Sequence, residues 1–185
     1  RFAPSPTGLM TIGNYRTALF NFLYASKFDG KMLLRFEDTD RERSDSIFVE
    51  QICHDLLAMG MEFSPQETLF QSQRGSLYEK YYHQLLEQND AYECFCTPED
   101  LALERKLQLS AGVAPKYSGR CRDLTYQQRQ ELKDQGRKSV LRYRVPDQTV
   151  VSFNDILMGA KVFDSSTIGD FVIRKANGDA AFFFS

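Results

Sequence analysis

Three stretches of this 185-residue chain carry residue types whose spacing can do chemistry. The first is PSPTGLMTIGNYRTALFNF, residues 4–22, which turns through Pro, Ser and Gly and continues as a helix. Backbone N–H groups at such a helix start lack intrahelical acceptors, and the helix dipole favours an anion there. Gly8 and Gly13 give G-x-x-x-x-G, but no GK[ST] follows, so this is not the phosphate-binding P-loop. The competing reading is a tight turn in which Gly13 permits close helix–strand packing. The second stretch, LLRFEDTDRERSD at 33–45, sets Glu37, Asp38 and Asp40 just past the end of a strand, with Arg41 and Arg43 following. Open α/β sheets bind ligands at that edge, where acids suit an ammonium group or a metal. The alternative is a solvated segment that caps the next helix. The third is Cys94-x-Cys96 with Cys121, three soft ligands at zinc-compatible spacing without a clear fourth. Three free thiols are the alternative. Cys53 falls on the apolar face of a helix and reads as a core thiol.

These residues need elements to hold them. RFA is a short strand stub, Ile12 to about Lys27 repeats apolar residues at helical spacing, and KMLLRFED is a buried-looking strand. Strand, helix and strand of this size favour a parallel pair with a right-handed crossover. Two more helices follow, SIFVEQICHDLLAMG with Gly60 as its C-terminal cap, and GSLYEKYYHQLLEQ. The fold class is therefore α/β, the start of a doubly wound parallel sheet. After about residue 90 the character changes. AYECFC is a strand, TPEDLALERKLQL a helix capped by Thr97 with Pro98 next, SAGVAPKYSG a loop and TYQQRQELKDQG a polar helix. SVLRYRVP alternates like a half-exposed strand. TVVSFND, AKVFD and DFVIRKANGDAAFFF add further strands, the last with a turn at Asn177-Gly178. This half reads as a smaller α+β insertion.

Composition bounds the class. With 42% hydrophobic and 26% charged residues the chain is an ordinary globular protein. A net charge of −2 decides nothing, because a basic surface can hide in a neutral sum. Lys116, Arg120, Arg122, Arg142 and Arg144 suit either RNA phosphates or a solvated surface. No apolar run approaches the ~20 residues that cross a bilayer. No signal peptide is visible, and the cysteines read as thiols or ligands rather than disulfides. A cytoplasmic protein without membrane association is expected. The start without Met and the finish at AAFFFS lead us to expect a piece of a longer chain.

RFAPSPTG, TIGN and RFEDTDRERS at these intervals, followed in order by YECFC, YSGRC, LRYRVP and GDFVIRKANG, resemble the N-terminal catalytic half of a glutamyl-tRNA synthetase. The resemblance runs over nearly the whole chain. It implies a Rossmann-like catalytic domain begun at 1–73, an inserted domain for the tRNA acceptor end at 74–181, and a return into the catalytic domain at 182–185. It also implies ATP-dependent activation of L-glutamate to glutamyl-adenylate, with Mg2+ accompanying the nucleotide. Transfer to the 3′ end of tRNA(Glu) follows, in a full-length protein that is a monomer. Carried over by position, Arg1 pairs with the side-chain carboxylate of glutamate, since a guanidinium tells a carboxylate from an amide. Ala3 and Ser5 line the amino-acid and ATP pocket, and Glu37 accepts the α-ammonium group. The His-Ile-Gly-His signature falls at Thr11-Ile12-Gly13-Asn14, where it seats ATP and stabilises charge on the α-phosphate.

Thr11 departs from that signature. Threonine caps a helix and donates one hydrogen bond, but it carries no positive charge. His54 and His83 lie on predicted helices and do not replace the missing imidazole. Phe182 stands where family members often have Tyr, and the second, Lys-Met-Ser-Lys-Ser-like signature is expected beyond Ser185, so the fragment alone is expected to be incomplete. For the cysteines, the resemblance implies a structural Zn2+ on Cys94, Cys96, Cys121 and Tyr117, with Asp123 or water as the alternative fourth ligand. Two other functions fit the same residues. One is the shorter glutamyl-Q tRNA(Asp) synthetase, against which Thr39 and the length of 97–140 argue. The other is a catalytically weakened paralogue that binds tRNA or an amino acid.

Overall fold

Residues 1–64 and 67–185 are described by the structure, a computed structural model. The chain divides into two compact units, 1–77 with Ser185, and 78–184.

In unit 1, Thr11 caps α1 (Ile12–Lys27) through a capping box with Asn14. The strand stub at Phe2 bridges Leu34 in parallel, and β1 (Arg35–Phe36) pairs in parallel with β2 (Leu69–Phe70). α1 and α2 (Ser46–Ala58) form the crossovers. Asp45 caps α2, its carboxylate accepting the Ile47 N–H at 3.0 Å. At its other end Gly60, with φ of 73°, ends the helix in the left-handed conformation. There the Gly60 and Met61 amides donate to Leu57 and Leu56 carbonyls at 2.9 Å each. Phe2, Ala18, Leu34, Phe36, Ile52 and Leu56 are the heart of the core, and Cys53 packs against its edge. Short parallel strands joined by helices are the Rossmann-like α/β arrangement expected.

Unit 2 holds most of α3 (Gly75–Glu87), whose Tyr78 and Tyr82 are buried. Its sheet is antiparallel in the order β3–β4–β7, with β3 (Ala91–Cys94), β4 (Val140–Tyr143) and β7 (Val172–Arg174). β4 is not half-exposed as its alternation suggests. It is the central strand, so Leu141 and Arg142, pointing to opposite faces, are both buried. The expected last strand also differs. After the turn at Asn177-Gly178 the chain makes one bridge, Arg174 with Ala180, and then turns at 182–184. There Phe184 stacks on Tyr82 with ring centres 4.6 Å apart. α4 (Pro98–Ser110) and α5 (Tyr126–Asp134) start at capping boxes of Thr97 with Asp100 and Thr125 with Gln128. β5 (Val150–Asp155) and β6 (Gly159–Asp164) form a hairpin. Among the described residues no helix is long and apolar enough to cross a membrane.

Candidate functional site

Parallel pairing in unit 1 brings two of the chemistry-bearing stretches together. The Phe2 N–H donates to the Leu33 carbonyl (2.9 Å), Arg35 N–H to Phe2 (3.0 Å) and Glu37 N–H to Pro4 (2.9 Å). Ala3 to Ser5 and Glu37 therefore lie side by side at the strand ends, where such sheets take ligands. The chain then turns into α1 beside a cavity of about 610 Å³, whose wall includes Ala3, Ser5, Gly8, Thr11, Asn14 and Thr17. Arg1, Gly13 and Glu37 do not line it. Arg1 is exposed.

Thr11 and Asn14 are bonded to each other. Both the Thr11 amide and its hydroxyl donate to Asn14 Oδ1 at 2.9 Å, and the hydroxyl accepts the Asn14 N–H at 3.4 Å. The one hydroxyl proton and the Asn14 N–H are thus engaged, so the groups this corner leaves for a ligand are the Ile12 and Gly13 amides of the first turn and the Asn14 Nδ2 amide. A Cβ built on Gly13 would touch only Thr11 Oγ1, at 3.6 Å. Helix–strand packing therefore does not require this glycine. What it leaves open is the approach to the helix start.

The acids of the second stretch are divided among separate tasks. Glu37 Oε1 accepts from Arg35 Nη2 at 2.9 Å, with both side chains nearly buried. Asp38 accepts the Ser72 N–H (2.8 Å) and hydroxyl (2.5 Å), fixing the turn after β2. Asp40 pairs with Arg43 at 2.6 Å. Among the described residues they form no metal-binding group. Arg35 was missed by sequence reasoning. Its signal was the i, i+2 spacing of R-F-E, which puts both side chains on one face of a strand.

In unit 2 the three sulfurs of Cys94, Cys96 and Cys121 lie within 4.8 Å of one another. β3 delivers Cys94, and the Tyr117 hydroxyl lies 3.3 Å from its sulfur and 3.5 Å from that of Cys96. The same oxygen accepts the Cys121 N–H at 3.0 Å. Asp123 lies apart from this group, exposed and paired with Arg144 at 3.2 Å. The Cys121 thiol beside Cys94 holds the Cys94 thiol down to about 4, helped by the Tyr117 hydroxyl and the Arg142 guanidinium and opposed by burial. Cys121 shifts upward because its proton bonds to Cys94, and Cys96 rises through burial. Three thiol sulfurs with a phenol oxygen at hand are a donor set that suits tetrahedral zinc.

Arg142, grouped in the sequence with residues for RNA phosphates or a solvated surface, is placed otherwise by the structure. Buried in the central strand, it stacks its guanidinium 3.8 Å above the Tyr117 ring. Each basic residue grouped for phosphate has a partner within unit 2: Lys116 with the Ser166 carbonyl, Arg120 with Asp100, Arg122 and Arg142 with Asp170, and Arg144 with Asp123.

A family model described as tRNA synthetases class I (E and Q), catalytic domain, matches residues 1–184. Glutamate--tRNA ligase 2 of Alkalilimnicola ehrlichii is 46% identical over 191 residues, spanning 100% of this chain and 40% of that protein. Glutamate--tRNA ligase of Natranaerobius thermophilus is 43% identical over 192 residues, spanning 100% and 39%. Among solved structures, a glutamate-tRNA synthetase from Elizabethkingia anophelis matches with a TM-score of 0.85 at 33% identity, over 100% of this chain and 40% of that one. A glutamate tRNA ligase from Elizabethkingia meningosepticum, in complex with its amino acid, matches with 0.83 at 32% identity, over 100% and 39%. The chain spans about two fifths of the length of these relatives.

Proposed function

This chain belongs to the family of class I (E and Q) tRNA synthetase catalytic domains, and we propose that its protein joins L-glutamate to ATP and passes the glutamyl group to tRNA(Glu). The observation that carries this is the cavity of about 610 Å³ at the start of α1, walled by Ala3, Ser5, Thr11 and Asn14. ATP sits with its phosphates toward the first-turn amides of α1. Those amides and the Asn14 amide donate to the α-phosphate as charge builds on it, so catalysis is electrostatic preorganisation rather than proton transfer. Gly13 keeps that approach clear of a side chain. Arg1 takes the side-chain carboxylate of glutamate, and Glu37, oriented by Arg35, takes its ammonium group with the oxygen that Arg35 leaves. Mg2+ enters with the nucleotide substrate, and among the described residues no carboxylate lines the cavity.

Residues 1–73 begin the catalytic domain, 74–181 are the inserted domain that receives the acceptor end of tRNA, and 182–185 begin the return. The whole protein is cytoplasmic and monomeric. Cys94, Cys96, Cys121 and Tyr117 hold a structural zinc, which cross-links the end of β3 to the 117–121 loop. Elemental analysis tests this: about one zinc per native chain and almost none in Cys94→Ser supports it, and a zinc-free native protein refutes it.

The engaged Thr11 hydroxyl favours a second reading, a paralogue that binds without catalysing. Glutamate-dependent ATP–pyrophosphate exchange on the full-length protein, with and without tRNA, separates the two. Exchange in the native protein, raised about a hundredfold in Thr11→His, supports the active enzyme, since one transition-state donor is worth ~3 kcal/mol. No native exchange, restored by the histidine, establishes the paralogue instead.

A further inference from the structure

α4 turns three of its four leucines outward: Leu103, Leu107 and Leu109 are 60%, 62% and 57% exposed, whereas the half-buried positions are Asp100, Leu101, Glu104 and Gln108. Leu101, Glu104 and Gln108, at i, i+3 and i+7, share one helical face. On that face the two polar side chains close on the backbone of the loop that carries Tyr117. Gln108 Nε2 donates to the Lys116 carbonyl at 2.8 Å, and its Oε1 accepts the Lys116 N–H at 2.9 Å. This two-point grip on one residue copies what a paired strand would provide. Glu104 Oε1 accepts the Ser118 N–H at 2.6 Å. Its other oxygen is buried with no hydrogen-bond partner among the described residues. The bonded residues directly precede and follow Tyr117. Lys116 Nζ also reaches the Ser166 carbonyl at 2.7 Å, and a Cβ on Gly169 would stand 3.0 Å from the Tyr117 nitrogen. The loop therefore has little room to shift.

A phenol is a weaker zinc ligand than a thiolate, so its place in the site depends on being held there. We propose that Gln108 and Glu104 are positioning residues of the metal site, their bonds to Lys116 and Ser118 holding the Tyr117 oxygen at the three sulfurs as the fourth ligand. The proposal rests on reading Cys94, Cys96, Cys121 and Tyr117 as a zinc site.

Cobalt(II) titration of the metal-free full-length protein tests it, reading affinity against a competing chelator and the visible ligand-field bands. Gln108→Ala is expected to weaken cobalt binding about tenfold, as outer-shell substitutions do, and to move the bands toward those of Tyr117→Phe. In the Tyr117→Phe background the same substitution is expected to add less than about twofold, because the tyrosine is the group through which it acts. Alanine is a strong helix former, so the far-UV spectrum of Gln108→Ala should match the native one. Leu107→Ala, on the exposed face, should leave affinity and bands unchanged. Native affinity and bands in Gln108→Ala overturn the proposal, as does an equal loss in both backgrounds. Native bands in Tyr117→Phe do so as well. A native protein that binds no cobalt removes the zinc reading itself, a result distinct from the other three.

Discussion

At the start of α1 the cavity meets backbone amides and two short polar side chains already bonded to each other. Around the thiol cluster, by contrast, long side chains reach in from separate elements: Tyr117 from a loop, Arg142 from the central strand, and Glu104 and Gln108 from α4. A site made of backbone tolerates a change of residue type so long as the helix begins at the same place. One made of side chains does not, because each group must be carried to its position and kept there. Here the helix begins at a threonine cap, Thr11, whose side chain bonds only within the first turn.

The largest way to break the comparison lies in unit 2. Asp170 is nearly buried and accepts from Tyr92 Oη (2.5 Å), Arg122 Nη1 (2.7 Å) and the Val145 N–H (2.9 Å), while its carbonyl accepts from Arg142 (2.7 Å). Burial and the Asp170 carboxylate together push the Tyr92 phenol far above its usual range. Asp170→Ala takes the buried carboxylate from Arg122, which keeps the exposed Asp147 and the Val145 carbonyl, and leaves the Tyr92 hydroxyl and the Val145 N–H without their acceptor. It is expected to cost about 3–5 kcal/mol, read by denaturant unfolding under circular dichroism. Asp170→Asn, which keeps the shape, should cost less. A loss under about 1 kcal/mol for the alanine would show that unit 2 is no more dependent on single side chains than the turn is.

The turn supplies the matching, smaller test. Thr11→Ala removes the N-cap and is expected to cost about 1 kcal/mol of stability, and Thr11→Ser almost nothing. If backbone groups hold the nucleotide, Thr11→Ala should leave ATP affinity within about twofold, measured by calorimetry. A tenfold loss would make the threonine side chain a ligand and erase the contrast between the sites.

What could be read from the sequence divides along the same line. α1 and α2 were legible from apolar residues at helical spacing, and α4 from its Thr97 cap with Pro98 behind it; the caps that the structure shows, Thr11, Asp45 and Thr97, all act within four residues of themselves. The cavity at the α1 start follows from local signals too, a Gly-containing turn and a strand before it. Arg142 was not legible. Alternation gives a strand two faces but does not say that β4 is the central strand, which β3 and β7 decide from about 50 and 30 positions away in sequence. Gln108 and Glu104 were hidden for a related reason, because polar residues on a helix read as solvent-facing unless the partner is known. Tyr117 came from resemblance alone, since nothing in the spacing of a tyrosine 21 residues past Cys96 marks it as a neighbour of that thiol.

The smallest effect concerns how α1 is fixed to α2. Tyr15 Oη donates to Asp55 Oδ2 at 2.6 Å, and Gln51 Nε2 donates to the other oxygen at 2.7 Å. The Tyr15 hydrogen bond, then that from Gln51, holds the Asp55 carboxyl below its usual range. The same bond raises the Tyr15 phenol. A carboxyl lowered by folding contributes stability above its ordinary range, and that contribution is lost as pH falls through its folded value. A phenol raised by folding contributes below its ordinary range, and the contribution is lost as pH rises through its folded value. The pair therefore gives unit 1 a plateau at neutral pH with a shoulder on either side. Tyr15→Phe keeps the ring and deletes the donor, so both shoulders should flatten in thermal unfolding measured across pH, with only a slight fall at pH 7. Both side chains are half-buried, so high salt should shrink the native shoulders only slightly. Shoulders unchanged in Tyr15→Phe would assign them to other groups and leave α1 held by its apolar face alone.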